Sequence, residues 1–201
     1  MSKYASDLSK YLKTQHIDCH SVLDIGGGVQ YAKDRIGSCK CEEYIMIDNG
    51  NEKEWHDKWN EPDINVDINN RGMWRARMES KLEGNIDVLF CLEVFEYILD
   101  PMQLVEDISY CLKKDGIAYI SLSEKYPVHN PIKSDVTRVT KQWMIIMAEQ
   151  YSLEILECIP RRYSPEAFQH IQEAWRIDGL RAAKHYPDHD VVGYIFKLKK
   201  K

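Results

Sequence analysis

Two corners of acid and glycine carry the first chemical signal in the chain. In Ser21 to Tyr31, SVLDIGGGVQY, Asp24 stands near the end of an apolar run, and Gly26, Gly27 and Gly28 follow at once. Consecutive glycines extend a strand poorly, because glycine loses the most backbone freedom on ordering. They suit a tight turn at positive φ, or a place where a ligand touches bare backbone. A helix start just beyond them would offer free N–H groups to a negative ligand group. The second corner is Asp48, Asn49 and Gly50. Asp48 falls about 20 residues past the glycine turn, where a βαβ unit offers an acid to both ribose hydroxyls of a nucleotide. Taken alone, each corner is also a plain surface turn.

Further acid–base groups lie later. Asp67 closes the short run INVDI, and Glu93 and Tyr97 follow the strongly apolar IDVLFCL, 86 to 92. Acids directly after a buried strand lie at the ligand-facing edge of a sheet. Residues 123–140, SEKYPVHNPIKSDVTRVT, form a long polar loop holding Tyr126, His129, Asp135 and Arg138. Loops of that length are functional or disordered. Asp135 and Arg138 are three apart. On a helix they would share a face and pair, which favours bracing of the loop; they would equally suit acceptor hydroxyls. His185, Asp188, His189 and Asp190 in KHYPDHD have metal-binding side chains, but a polar turn accounts for them and no metal is expected. Cys39 and Cys41 have one residue between them, not the two or more of a zinc pair.

The elements that must position these groups are legible from apolar runs. Val22 to Ile25, Glu43 to Ile47, Ile64 to Ile68, Ile86 to Leu92 and Ile117 to Leu122 read as five strands. Helical stretches are expected from Gln30, over 71–83 (helical or irregular), and over Met102 to Lys113, with Lys113 and Lys114 at a helix end closed by Asp115-Gly116. Trp55 and Trp59 share a helix face or cover a loop. Trp143 to Tyr151 reads as a helix, Ser152 to Ile159 and Val191 to Leu198 as strands, and 160–190 as a helical insertion. An amphipathic helix within 1–20 carries Tyr4, Leu8 and Leu12; it does not read as a secretory signal. The expected fold is a single α/β domain over 1–201, doubly wound. Its mostly parallel seven-stranded sheet has helices on both faces and an antiparallel last strand.

The chain has 201 residues, 44% hydrophobic and 29% charged, with no run long enough to span a membrane. Its net charge of −5 disfavours a broad nucleic-acid footprint, which calls for a basic face. The six cysteines read as reduced thiols of a cytoplasmic protein.

VLDIGGG at 22–28, IMIDNG at 45–50, IDVLFCLEVFEYILDP at 86–101 and LVEDISYCLKKDGIAYISL at 104–122 resemble, in order, the motifs of class I S-adenosylmethionine-dependent methyltransferases of the small stand-alone type. The resemblance covers about half the chain. It implies that the backbone of Gly26, Gly27 and Gly28 approaches the methionine part of S-adenosylmethionine, with Asp24 near its amino group. It implies that Asp48 with Asn49 holds the ribose, that Asp67 and Ile68 border the adenine, and that Cys91, Leu92 and Glu93 border the transfer pocket. Two departures stand out. Gln30 replaces a frequent further glycine, and Tyr97 follows Glu96 where histidine is usual. The competing nicotinamide-binding pattern would need glycine at position 31, which is Tyr31.

Methyl transfer from a sulfonium needs alignment and exclusion of water, and a hydroxyl acceptor also needs a base. His129 is the first candidate, because histidine titrates near neutral pH; Glu93 and Tyr97 come next. Tyr126, Asp135 and Arg138 would meet the acceptor. The loop resembles those of methyltransferases associated with polysaccharide synthesis. The expected activity is therefore O-methylation of a sugar, glycan or similar small hydroxyl compound. A methyltransferase for protein or nucleic acid and a non-catalytic module of the same fold are the rival readings.

Overall fold

The computed structural model describes residues 6–28, 32–50, 60–125, 134–162 and 191–201. Helix α1 is Ser6–Lys13, and β1 (His16–Ile25) starts almost immediately after it. There follow β2 (Ser38–Asp48), β3 (Ile64–Asn65), α2 (Arg71–Lys81), β4 (Ile86–Cys91), α3 (Pro101–Cys111), β5 (Leu112–Ser123), α4 (Lys141–Gln150), β6 (Leu153–Arg162) and β7 (Val191–Lys200). The sheet runs β3-β2-β1-β4-β5-β7-β6. Strands β1 to β5 pair in parallel, and β7 lies antiparallel between β5 and β6. The expected α/β sheet, with its antiparallel last strand, is the observed one.

Successive strand residues point to opposite faces, so the apolar runs feed two cores. Leu23, Leu89 and Ile120 face α2, α3 and α4 through Trp74, Leu104, Ile108 and Met144. Val22, Phe90 and Tyr119 face α1 through Leu8, Tyr11 and Leu12. Inside the first core, the Trp74 indole N–H donates to Asp107 Oδ2 at 2.7 Å and ties α2 to α3. Asp100 caps α3 ahead of Pro101, and Thr140 caps α4.

Several boundaries differ from expectation. The first helix stops at Lys13, because β1 already needs the chain from His16. The helix expected from Gln30 is, in its described part, one turn in which the Ala32 carbonyl accepts the N–H groups of Arg35 and Ile36. Gly37 then donates to Leu12 and β2 begins at Ser38, which leaves no length for more. Strand β2 is longer than its apolar part, since its polar first half pairs with β1 from His16 onward. Strand β3 ends early, where the Asp67 carboxylate accepts the Asn69 N–H and turns the chain. Lys113 and Lys114 lie in β5 rather than at a helix end. A register shift opposite Ile86 and Val88 and a positive φ at Asp115 absorb them, and Lys113 pairs with Asp87. Strand β6 continues beyond Ile159 to Arg162. The stretch with Trp55 and Trp59, the helical insertion after Arg162 and the KHYPDHD turn lie outside the described residues.

All six cysteines are free thiols, with the sulfurs of Cys39 and Cys41 4.0 Å apart. Among the described residues no helix is long and apolar enough to cross a membrane, and no cluster could hold a metal ion.

Candidate functional site

Parallel strands leave their carboxyl ends at one sheet edge, and a crevice opens there where the strand order reverses between β1 and β4. The crevice has a cavity volume of about 170 Å³ and opens to solvent at its mouth. Its walls include Gly26 from the end of β1, Asp48 and Asn49 from β2, and Val66, Asp67, Ile68 and Asn69 after β3. Glu93, Val94, Tyr97 and Ile98 close it after β4, and Ser134 stands across.

Backbone geometry explains the glycine corner. Gly26 sits at φ +74, and a Cβ there would come within 2.5 Å of Val94 Cγ2. Its N–H donates to the Ile47 carbonyl at 2.8 Å, pinning the loop to β2. The Asp48 carboxylate accepts the Gly28 N–H on Oδ2 (3.1 Å) and the Gly50 N–H on Oδ1 (3.0 Å), so both acid-and-glycine corners meet on one side chain. Asp24 is buried behind the loop rather than on the crevice wall, and the Tyr44 hydroxyl donates to its Oδ2 at 2.7 Å. Burial pushes its carboxyl up to about 7, against the lowering effect of Tyr44; the nearby Asp48 charge adds to the rise.

The far wall is built on a buried polar cluster. Glu93 has φ 59, a left-handed conformation rare for a non-glycine residue. Its N–H donates to Ser121 Oγ (2.7 Å), whose hydroxyl returns to Glu93 Oε1 (2.6 Å). The Arg161 guanidinium, 2% exposed, grips the Glu93 carboxylate as a fork at 2.6 and 2.9 Å. Glu96 lies beneath, and its Oε2 has no hydrogen-bond partner among the described residues. Burial first, then the Glu93 charge, raises it to about 8. Asp135 and Arg138 form an ion pair, with Arg138 Nη2 2.8 Å from Asp135 Oδ2, beside the segment whose Val136 and Thr137 N–H groups donate to the Glu96 carbonyl.

The crevice thus gathers Gly26, Asp48, Asn49, Asp67, Ile68, Glu93 and Tyr97. Gly27 and Gly28 continue its loop, and Cys91 and Leu92 are buried below it at the end of β4. Tyr126 and His129 lie outside the described residues. Sequence reasoning missed Arg161, Ser121, Tyr44 and Asn69. Asn69 Nδ2 donates to the Tyr97 carbonyl at 3.0 Å, and its Oδ1 accepts the Leu99 N–H at 2.9 Å, which holds the far wall. The polar interruption of IAYISL at Ser121 was the one available signal. A lone arginine near a strand end carries none.

These residues fit S-adenosylmethionine. Asp48 is fixed by backbone donors, and carboxylate oxygens have lone pairs to spare for ribose hydroxyls. Val66 and Ile68 offer apolar contact for a base, and the Asp24 carboxyl behind the glycine loop suits a cationic amino-acid part.

The family model of a methyltransferase domain matches residues 1–183. No curated protein matches the sequence. Solved structures share the fold at low identity. An S-adenosylmethionine-dependent methyltransferase from Archaeoglobus fulgidus is 16% identical over 98% of this chain and 91% of its own, with TM-score 0.58. One from Mesorhizobium loti is 10% identical over 98% of each chain, with TM-score 0.57. The [4+2]-cyclase SpnF is 12% identical over 98% of this chain and 80% of its own, with TM-score 0.57. The match over 1–183, the seven-stranded sheet and the acid-lined crevice agree: the chain belongs to the methyltransferase-domain family, class I, with S-adenosylmethionine as its cofactor.

Proposed function

We propose that the chain methylates a hydroxyl of a sugar, glycan or similar small molecule. The observation that carries this reading is the far wall of the crevice, where the Glu93 carboxylate is held by the Arg161 fork beside Tyr97 and Ser134. A fixed carboxylate orients a neutral hydroxyl donor and repels phosphate and carboxylate acceptors. S-adenosylmethionine supplies an activated methyl group when bound. This chain's residues align the acceptor, exclude water and take its proton. Positioned base catalysis contributes about 10²–10⁴-fold. We assign that step to His129, with Glu93 orienting the hydroxyl and Tyr126, Asp135 and Arg138 bordering the acceptor.

The test starts with calorimetric titration of S-adenosylmethionine and S-adenosylhomocysteine into wild type and Asp48→Ala. Binding by wild type that Asp48→Ala loses supports the cofactor site. Labelled methyl transfer to a panel of sugars, sugar nucleotides and glycans follows, with His129→Ala expected to lower turnover at least about 100-fold. Methylation of protein or RNA instead, or binding with no transfer to any class, overturns the proposed acceptor. The cyclase SpnF shares the fold, so turnover rather than binding decides the activity.

A further inference from the structure

The Asp24 carboxyl is placed unusually for a charged group. It is 3% exposed, and the glycine loop lies directly on it: a Cβ on Gly27 would come within 2.7 Å of Asp24 Cγ. Tyr44 reaches it from β2 with a hydroxyl at 2.7 Å. The ionisable groups around it come from two strands, with one more beside Tyr44. Tyr44 and Asp48 belong to β2, Cys91 to β4, and Lys33, before β2, stands 5.1 Å from the centre of the Tyr44 ring. Burial raises the Cys91 thiol well above its ordinary value and keeps it neutral. The charge that acts on Asp24 is the like charge of Asp48, whose carboxylate is tied to the same loop through the Gly28 N–H at 3.1 Å. Two acids thus share one loop, one on the crevice wall and one behind it.

We propose that Tyr44 positions Asp24 behind the glycine loop and that Asp24 gives up a proton when the cationic cofactor binds. The proposal rests on S-adenosylmethionine occupying the crevice. In the free protein Asp24 carries its proton for much of the time near pH 7, because burial and Asp48 disfavour a second negative charge. S-adenosylmethionine brings a sulfonium and an ammonium; S-adenosylhomocysteine lacks the sulfonium. A cation in the crevice favours the Asp24 carboxylate, so its O–H bond breaks and the proton passes to the buffer. Tyr44 donates to the carboxylate and so eases this release.

The proton is measurable without an acceptor. Titrations of S-adenosylmethionine and S-adenosylhomocysteine in buffers of different ionisation enthalpy, from pH 6 to 8.5, count the protons released. Wild type is expected to release a substantial fraction of a proton per S-adenosylmethionine near pH 7, and less for S-adenosylhomocysteine. Its affinity is expected to rise up to tenfold per pH unit below about 7 and to level off above. Asp24→Asn removes the release and flattens the pH profile. Tyr44→Phe, which keeps the ring but removes the donor, moves the break to higher pH and increases release at pH 7.5. Tight binding by wild type with no buffer-dependent heat overturns the proposal and leaves the cofactor assignment standing. So does an unchanged break in folded Tyr44→Phe. Folded wild type that binds neither compound overturns the assignment itself.

Discussion

Arg161 and Glu93 show how unevenly two partners can depend on each other. Arg161 is 2% exposed, whereas the Glu93 side chain is 33% exposed at the crevice. Losing one partner of a buried pair strands the other, and the penalty is set by how far the survivor can reach water. Glu93→Gln leaves a buried guanidinium and is expected to cost about 3 kcal/mol or more in urea unfolding. Arg161→Met leaves a carboxylate that can hydrate, and is expected to cost less than Glu93→Gln does. Glu96 supplies a pH signature. Its value rises from an ordinary 4.5 to about 8 on folding, so the native state holds a proton that the unfolded state releases. Its contribution is complete below about pH 4.5 and is lost as pH rises through about 8. Glu96→Gln is expected to flatten the fall in stability over that window, measured as unfolding midpoints at successive pH values. The sequence set Glu93 at the ligand-facing edge, but no local pattern says that Arg161 holds it or that Glu96 turns to the interior.

At the scale of elements, register decides what Arg161 can reach. Gly193 of β7 lies opposite Ser123 of β5 on one side and Arg161 of β6 on the other. A Cβ at Gly193 would sit 1.8 Å from the Leu122 carbonyl oxygen, closer than any side chain tolerates. Gly193→Ala therefore has to push β7 away from β5. It is expected to destabilise by at least about 1–3 kcal/mol, as overpacking does, and to weaken the Glu93–Arg161 fork with it. A crystal structure or amide exchange along β5–β7 checks this. The apolar cores of β1, β4, β5 and β7 were readable because each is a short run of buried residues bounded by turns. The polar start of β2 and the Lys113–Gly116 bulge were not, since their pairing depends on neighbours distant in sequence.

For the whole molecule, the ordered set of four motifs made the fold and cofactor legible in the sequence, because each motif includes a strand end that the topology brings to one edge. The acceptor side was far less legible. The residues we propose for it lie in the stretch after β5 and at the end of β6, which carry no periodic signal. Cofactor binding must act on the global equilibrium, since it favours only the folded state. S-adenosylhomocysteine at about 100 times its dissociation constant is expected to add about 2.7 kcal/mol, read as a raised melting temperature that Asp48→Ala abolishes.

The placement of β7 between β5 and β6 also constrains the order in which the chain can fold. Each of the first five strands finds a sheet neighbour made earlier or soon after it. Strand β6 finds none until residues 191–200 exist, because β7 is its one pairing partner among the described strands. During synthesis β6 must wait with an unsatisfied backbone edge, and Arg161 cannot take its place beside Glu93 until the last strand has left the ribosome. The strand pairing under the cofactor corner does not involve β7; the Glu93–Arg161 fork does depend on it.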